Sequence, residues 1–265
     1  GHAVGPWHGM PIAVKDIVDM AGRITTGGSA VWRQRRSEVT ATLVRRLTAA
    51  GMIVIGKTHT VEFAMGSWGT NEHMGTPWNP WDRHEARAPG GSSAGSAVSV
   101  AAGLSPWSVG TDTGGSVRIP AAYCGLTGLK TTIGRVSCHG VLPLSFTLDT
   151  PGPICRDARD AANLFHVLNG PDPQDRSTLG LPEYDPTAWL SKRPDGWVLG
   201  CLPSSERDGV ATEVLSAYDQ ALDVWRTLGA TVVEADVPVS FAEIGLEVGR
   251  IIGAERNIEL SRRSR

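Results

Sequence analysis

Between Pro89 and Pro120 the chain carries two glycine–serine runs, PGGSSAGS and GTDTGGSVRIP, on either side of a segment of small residues, AGSAVSVAA. Glycine loses more backbone entropy on folding than any other residue. Paired glycines therefore mark a flexible turn or a place where the main chain must come very close to something. Two runs bracketing one apolar segment argue against flexible turns. The segment between them, Ala94–Ala102, predicts a helix suited to close burial, because nothing larger than valine projects from it.

Three chemistries compete for glycine-rich loops of this kind. A phosphate cradle needs GxxxxGK[ST]; neither run has a lysine there, and GLTGLKT at 125–131 has the wrong Gly–Lys spacing. A nucleophile elbow matches Gly91–Gly95 as GxSxG and would nominate Ser93. Such an elbow must follow a buried strand, and the preceding NPWDRHEARAP is polar and contains proline. The third chemistry suits both runs. Before a helical turn beginning near Ser116, the glycine pair lets the amides of Thr113, Gly114, Gly115 and Ser116 turn inward with no Cβ in the way. That is how an oxyanion hole is built, and the serine ending the run stands where it would attack the same carbon.

A serine hydroxyl at its free pKa needs a base. No histidine has a fitting context. Lys15, at the end of the apolar run Pro11–Val14, does: burial there would push its amine toward neutrality. Taken alone, a lysine at a strand end reads as solvated, and Lys57 and Lys130, which also follow strand-like runs, are read as structural or surface residues. Asp112 and Arg118 flank the second loop and read as charged supports. Ser93 is read as holding its loop by hydrogen bonding or as a helix N-cap.

Along the rest of the chain, Glu38–Ala50 predicts an amphipathic helix with Ser37 as N-cap and Gly51 just past its end; Met52–Ile55 follows as a strand. Strand, helix and strand in succession predict a parallel βαβ unit. Val61–Met65 reads as a short helix, Trp107–Val109 as a strand, and Leu126–Leu129 and Gly134–Val136 as strand-like pieces. Asp157–Leu168 reads as an amphipathic helix. After a Pro- and Asp-rich excursion over 170–194 come strand Trp197–Cys201, helix Ala211–Leu228, strand Thr231–Glu234 and helix Phe241–Leu260. The alternation predicts an α/β fold, a mixed and mostly buried sheet flanked by helices.

Composition removes other classes. With 265 residues, 41% of them hydrophobic, the chain can bury a substantial core. A net charge of −2 without basic runs gives nucleic-acid or membrane-surface binding no electrostatic support. No stretch reaches the ~18 apolar residues of a membrane span, and the opening GHAVGPWHGMPIAVKD does not read as a signal peptide. Four dispersed cysteines without CxxC and seven histidines without HxxxH speak against structural zinc and for a reducing cytoplasm. The cysteines read as small buried residues and the nine tryptophans as core or interface anchors.

The stretch GGSSAGSAVSVAAGLSPWSVGTDTGGSVRIPAAYCGLTGLKTT closely resembles the core of the amidase signature family. GPWHGMPIAVKD is similar to that family's lysine-bearing strand, and GKTHTVEFAMGSWGTNEHMGTPWNP and SFTLDTPGPICRDARDAANLFHVLNG resemble its flanks. The likeness is dense over 5–170 and thinner over 171–265, so the whole of 1–265 is expected to be one partial domain of this family. The resemblance implies an amide hydrolase with Ser116 as nucleophile, Ser92 as bridging serine, Lys15 as ultimate base and a cis peptide bond between Gly91 and Ser92. It implies a small-molecule amide substrate and no cofactor. A glutamine-hydrolysing component of a tRNA-dependent amidotransferase and an inactive scaffold are the alternatives. Measured against the family, the chain is short at both ends. An exposed sheet edge, with pairing into a homodimer, is therefore expected.

Overall fold

A computed structural model describes residues 4–263, and the chain divides into two compact units: residues up to Thr187 together with those from Ile252, and Ala188–Ile251. The first unit is built on five strands, β1 (Pro11–Lys15), β2 (Ile53–Thr58), β3 (Trp107–Asp112), β4 (Thr127–Gly128) and β5 (Thr150–Cys155), in the order β2-β1-β3-β5-β4. β2, β1 and β3 run parallel, and β5 lies antiparallel to β3 and β4. This is the mixed sheet with flanking helices that the alternation predicts. β3 and β5 are buried along their whole length. β2 is an edge, with Ile53 and Ile55 54% and 52% exposed.

The helices of this unit are α1 (Thr42–Ala49), α2 (Ala94–Ala101), α3 (Arg118–Tyr123) and α4 (Ala158–Leu168). One apolar cluster joins Leu43, Val44 and Leu47 of α1 and Leu164, Phe165 and Leu168 of α4 to Ile12, Val14, Trp107 and Val109 of the sheet. A second joins Ala97 and Val100 of α2 to Val117, Cys124 and Ile154. The small residues of α2 let it lie close: a Cβ on Gly95 would overlap the His59 main chain, and Ser96 Oγ reaches both Thr58 Oγ1 (2.7 Å) and Val109 O (3.2 Å).

Three sequence expectations change. The first helix starts at Thr42, not Glu38, and Ser37 does not cap it. The Ser37 hydroxyl bonds both the N–H and the carbonyl of Val39, and Ala41 N donates to Asp19 O; these local bonds hold residues 37–41 out of helical geometry. Gly134–Val136 forms only an isolated bridge from Val136 to Asn169. β5 falls in a stretch to which the sequence reading assigns no element, and prolines at 151 and 153 argue against an interior position. Both are accommodated by register. Thr150, Gly152 and Ile154 alternate with them opposite β3, while the Pro151 and Pro153 carbonyls accept from Thr131 Oγ1 and Leu129 N on the opposite side. The missing N–H groups therefore fall where the neighbour is only the two-residue β4.

The second unit pairs β6 (Val198–Cys201) with β7 (Thr231–Glu234) in parallel, connected through α5 (Thr212–Thr227). Trp197 stacks on Trp225 and the Tyr218 hydroxyl accepts from Leu202 N (2.7 Å). The last helix, α6 (Phe241–Arg263), contributes its residues from Ile252 onward to the first unit. Among the described residues no helix is long and apolar enough to cross a membrane.

The core makes a direct prediction. Leu43 is fully buried and Val31 is 87% exposed. In urea unfolding followed by circular dichroism, Leu43→Ala is expected to lose about 2–5 kcal/mol, and Val31→Ala to stay within about 0.5 kcal/mol of the parent.

Candidate active site

Lys15 ends the central strand β1 and is 0% exposed. Its Nζ donates to Ser92 Oγ at 2.7 Å and to Thr111 Oγ1 at 2.8 Å, two neutral acceptors. Burial, opposed by the charges of Asp149 and then Asp112, brings its pKa down from 10.5 to about 7. An amine buried without an ion-pair contact holds its proton weakly.

Ser92 is also fully buried, just before α2, and the Gly91–Ser92 peptide bond is cis. Gly91 N donates to Ser67 O at 2.7 Å, and a Cβ on Gly91 would stand 2.7 Å from Gly69 N, so a neighbouring loop closes over this turn. Ser93 occupies the N-cap position of α2 but makes no capping bond. Its hydroxyl instead accepts from Thr111 N and donates to Thr111 O, both at 3.2 Å, clamping the first loop to β3. The close approach is possible because Gly110 has no Cβ, which would sit 2.7 Å from Ser93 Oγ.

The second loop leaves the end of β3 and is held by Asp112. This carboxylate is 0% exposed and accepts from Gly115 N (2.7 Å), Val117 N (3.2 Å) and Arg118 N (3.3 Å), and from the Arg118 guanidinium through Nε and Nη2, both at 3.0 Å. Burial alone would raise the Asp112 pKa; the Arg118 side chain and the amides outweigh it and leave it below the ordinary carboxylate value. Asp112 and Arg118 are thus placed as supports of the loop. Of the four amides that the sequence nominates, Gly115 N–H is spent on Asp112. The N–H groups of Thr113, Gly114 and Ser116 have no partner among the described residues. Gly115 has φ +127°, a conformation that glycine adopts without strain.

Ser116 is partly exposed, and its carbonyl accepts from Ser93 N at 3.2 Å, which ties the two loops together through their main chains. Among the described residues its hydroxyl makes no hydrogen bond, so the direct Ser92–Ser116 side-chain link is not formed in this structure. Lys57 instead pairs with Asp16 at 2.8 Å, and Lys130 donates to Thr131 O, as expected of structural lysines.

Three residues here were not foreseen. Thr111 gives Lys15 its second acceptor, with no sequence signal beyond its place in a strand. Asp149 bonds the Thr113 hydroxyl and the amides of Leu144 (2.8 Å) and Ser145 (3.1 Å). Glu255 is buried against Ser145 and Thr147. Beside the loops, Ser67, Trp68, Arg118, Ile119, Ala122 and Tyr123 line a cavity of about 420 Å³. A second cavity of about 500 Å³, along β2, includes none of the nominated residues.

The model of the family described as Amidase matches residues 1–250. The chain belongs to the amidase family. It is 41% identical to a glutamyl-tRNA(Gln) amidotransferase subunit of Burkholderia pseudomallei (strain 668), over 97% of this chain and 53% of that protein. Among solved structures it is similar to the corresponding glutamyl-tRNA(Gln) amidotransferase subunit of Thermotoga maritima (TM-score 0.83, 31% identity, 97% of this chain and 67% of that one). It is also similar to the native peptide amidase of Stenotrophomonas maltophilia (TM-score 0.83, 35% identity, 96% and 55%). The chain thus spans about half the length of the curated relatives it matches. The likeness to this family covers the sheet, both loops and the lysine strand.

The Asp112 network predicts a stability profile. Its folded pKa is depressed, so its contribution is present in full above about pH 4, the unfolded value, and is lost as pH falls through the folded value. Asp112→Asn is expected to lower stability at neutral pH by roughly 1.5–3 kcal/mol, and to flatten the acid side of a stability-against-pH curve measured by urea unfolding.

Proposed function

We propose that the chain is the catalytic core of an amidase, hydrolysing a carboxylic amide C–N bond through Lys15, Ser92 and Ser116. The observation that carries this reading is the buried Lys15 amine, pKa about 7, hydrogen-bonded to Ser92 Oγ at 2.7 Å. A neutral amine there has a lone pair for the Ser92 proton as Ser92 takes the proton of Ser116. The Ser116 Oγ–H bond breaks and an Oγ–C bond forms at the amide carbon. The oxyanion is met by the unengaged amides of Thr113, Gly114 and Ser116, each such donor being worth ~3 kcal/mol in the transition state. The proton then returns through Ser92 to the leaving nitrogen, the C–N bond breaks, and water cleaves the Ser116 ester with the same base. The relay requires Ser116 Oγ to turn to Ser92 when substrate is bound, in keeping with catalytic hydrogen bonds that tighten only in the complex.

In this reading Asp112 fixes the loop by taking the Gly115, Val117 and Arg118 amides and leaves the N–H groups of Thr113, Gly114 and Ser116 for the oxyanion. Gly91 and Ser93 fix the first loop. Small-molecule amides in the cytoplasm are the substrate class and setting that this reading assigns, and the open β2 edge is where a second copy would pair. A second reading has its own support: the relatives at 41% and 43% identity are named as glutamyl-tRNA(Gln) amidotransferase subunits. In it the same serine chemistry releases ammonia from glutamine for a partner protein.

A fluorophosphonate probe followed by intact-mass analysis tests the serine assignment. The chain is expected to gain one adduct, lost in Ser116→Ala and retained in Ser93→Ala; an adduct that survives Ser116→Ala sinks it. The labelling rate should rise tenfold per pH unit below about 7 and level off above, since the base works only after Lys15 loses its proton. Lys15→Ala should label at least about a hundredfold more slowly. Ammonia release from glutamine, set against release from simple aliphatic and aryl amides, divides the two readings.

A further inference from the structure

The register of β3 and β5 carries an unassigned residue into the site. Asp112 lies opposite Thr150 in this antiparallel pair, and the Thr150 hydroxyl donates to Asp112 O at 2.8 Å. One step beyond the ladder, Thr113 faces Asp149, and there the Thr113 hydroxyl bonds the Asp149 carboxylate. The other carboxylate oxygen accepts from Leu144 N (2.8 Å) and Ser145 N (3.1 Å), so Asp149 joins the amide-bearing turn to the loop over 144–149. Glu255 anchors that loop from behind through Ser145 and Thr147.

Resting on the amidase reading, we propose that Asp149 is a positioning residue acting on both halves of the machinery. It tethers Thr113, and with it the first amide of the anion-facing turn, and it sets a half-buried carboxylate beside that turn. Two carboxylates act on Lys15, and Asp149 contributes more than Asp112. Arg118 contacts Asp112 twice, whereas Asp149 has no cation in contact among the described residues. Other ionisable groups near this pocket are Cys138, whose thiol burial and Asp149 push upward, and Glu255 on α6. Desolvation raises the pKa of Asp149 itself, against the pull of Thr113, the two amides and Lys15. The two groups thus restrain each other: the carboxylate keeps Lys15 from becoming too weak a base, and Lys15 helps keep the carboxylate ionised.

The test uses the whole chain with biosynthetically ¹³Cε-labelled lysine, so that the Lys15 titration is read by NMR independently of activity, alongside the fluorophosphonate labelling rate across pH. In Asp149→Asn the Lys15 midpoint is expected to fall by roughly a unit, and the acid limb of the labelling profile to move with it. In Thr113→Val, which keeps the charge and cuts the tether, the plateau rate should drop about tenfold or more with the midpoint unmoved. A Lys15 midpoint unchanged in folded Asp149→Asn overturns the electrostatic half. Wild-type labelling by Thr113→Val overturns the tether, and does so even if Asp149→Asn fails to fold. Absence of any Ser116 adduct in the parent chain would count against the amidase reading itself, while the NMR midpoints would still decide the Asp149–Lys15 coupling.

Discussion

The site depends on one unfavourable act: placing the Lys15 amine where water cannot reach it. An ammonium in that position would lose its hydration, and its contacting partners, Ser92 and Thr111 hydroxyls, carry no charge to replace it. The amine therefore gives up its proton near neutrality. The unfolded chain keeps that proton up to about pH 10.4, so between about pH 7 and that value folding releases it and stability rises with pH. At lower pH the folded chain must hold a desolvated charge. The surrounding fold has to supply the difference, and the two apolar clusters around the sheet are where it does so.

What keeps the amine buried is close packing of main chain on main chain. α2 can rest on β1 and β3 because its residues are small, and the first glycine-rich turn is closely enclosed because Gly91 offers no Cβ to the loop at Gly66 and Gly69 and Gly110 offers none to Ser93. Hydroxyls then replace the apolar contacts that such small residues cannot make. Ser93 clamps Thr111, Ser96 bridges Thr58 and Val109, and Ser108 donates to Ala13 O. These bonds are in the interior, where an unmet partner costs ~1–3 kcal/mol. They define one spacing between helix and sheet.

The two carboxylates beside the site show how environment separates identical side chains. Asp112 is saturated by three amides and a forked guanidinium, so it is held ionised and acts as a scaffold. Asp149 is met by a hydroxyl and two amides with no cation in contact among the described residues, and burial drives its pKa upward. The first carboxylate shapes the turn; the second acts at a distance on the lysine. Asp112 ends β3 and Asp149 immediately precedes the antiparallel β5, so the pairing of these two strands brings both carboxylates to the same turn.

Ser92 was nominated through the resemblance to the amidase signature family; local sequence determined the glycine–serine turns, the small-residue helix between them, the parallel β1–α1–β2 unit and the nomination of Lys15 and Ser116. Those features follow from residue size, periodicity and backbone freedom, which act over a few positions. Tertiary structure alone decided the rest. Ser37 gave way to a turn bond as helix cap, β5 formed despite Pro151 and Pro153, and Ser93 was placed on Thr111 rather than on the amides of α2. Only the folded chain brought Thr111, Asp112 and Asp149 around the amine of Lys15. The nearest of these in sequence, Thr111, is 96 positions away. Whether a buried charge finds a partner depends on which distant strand lies beside it, a property that no local pattern encodes.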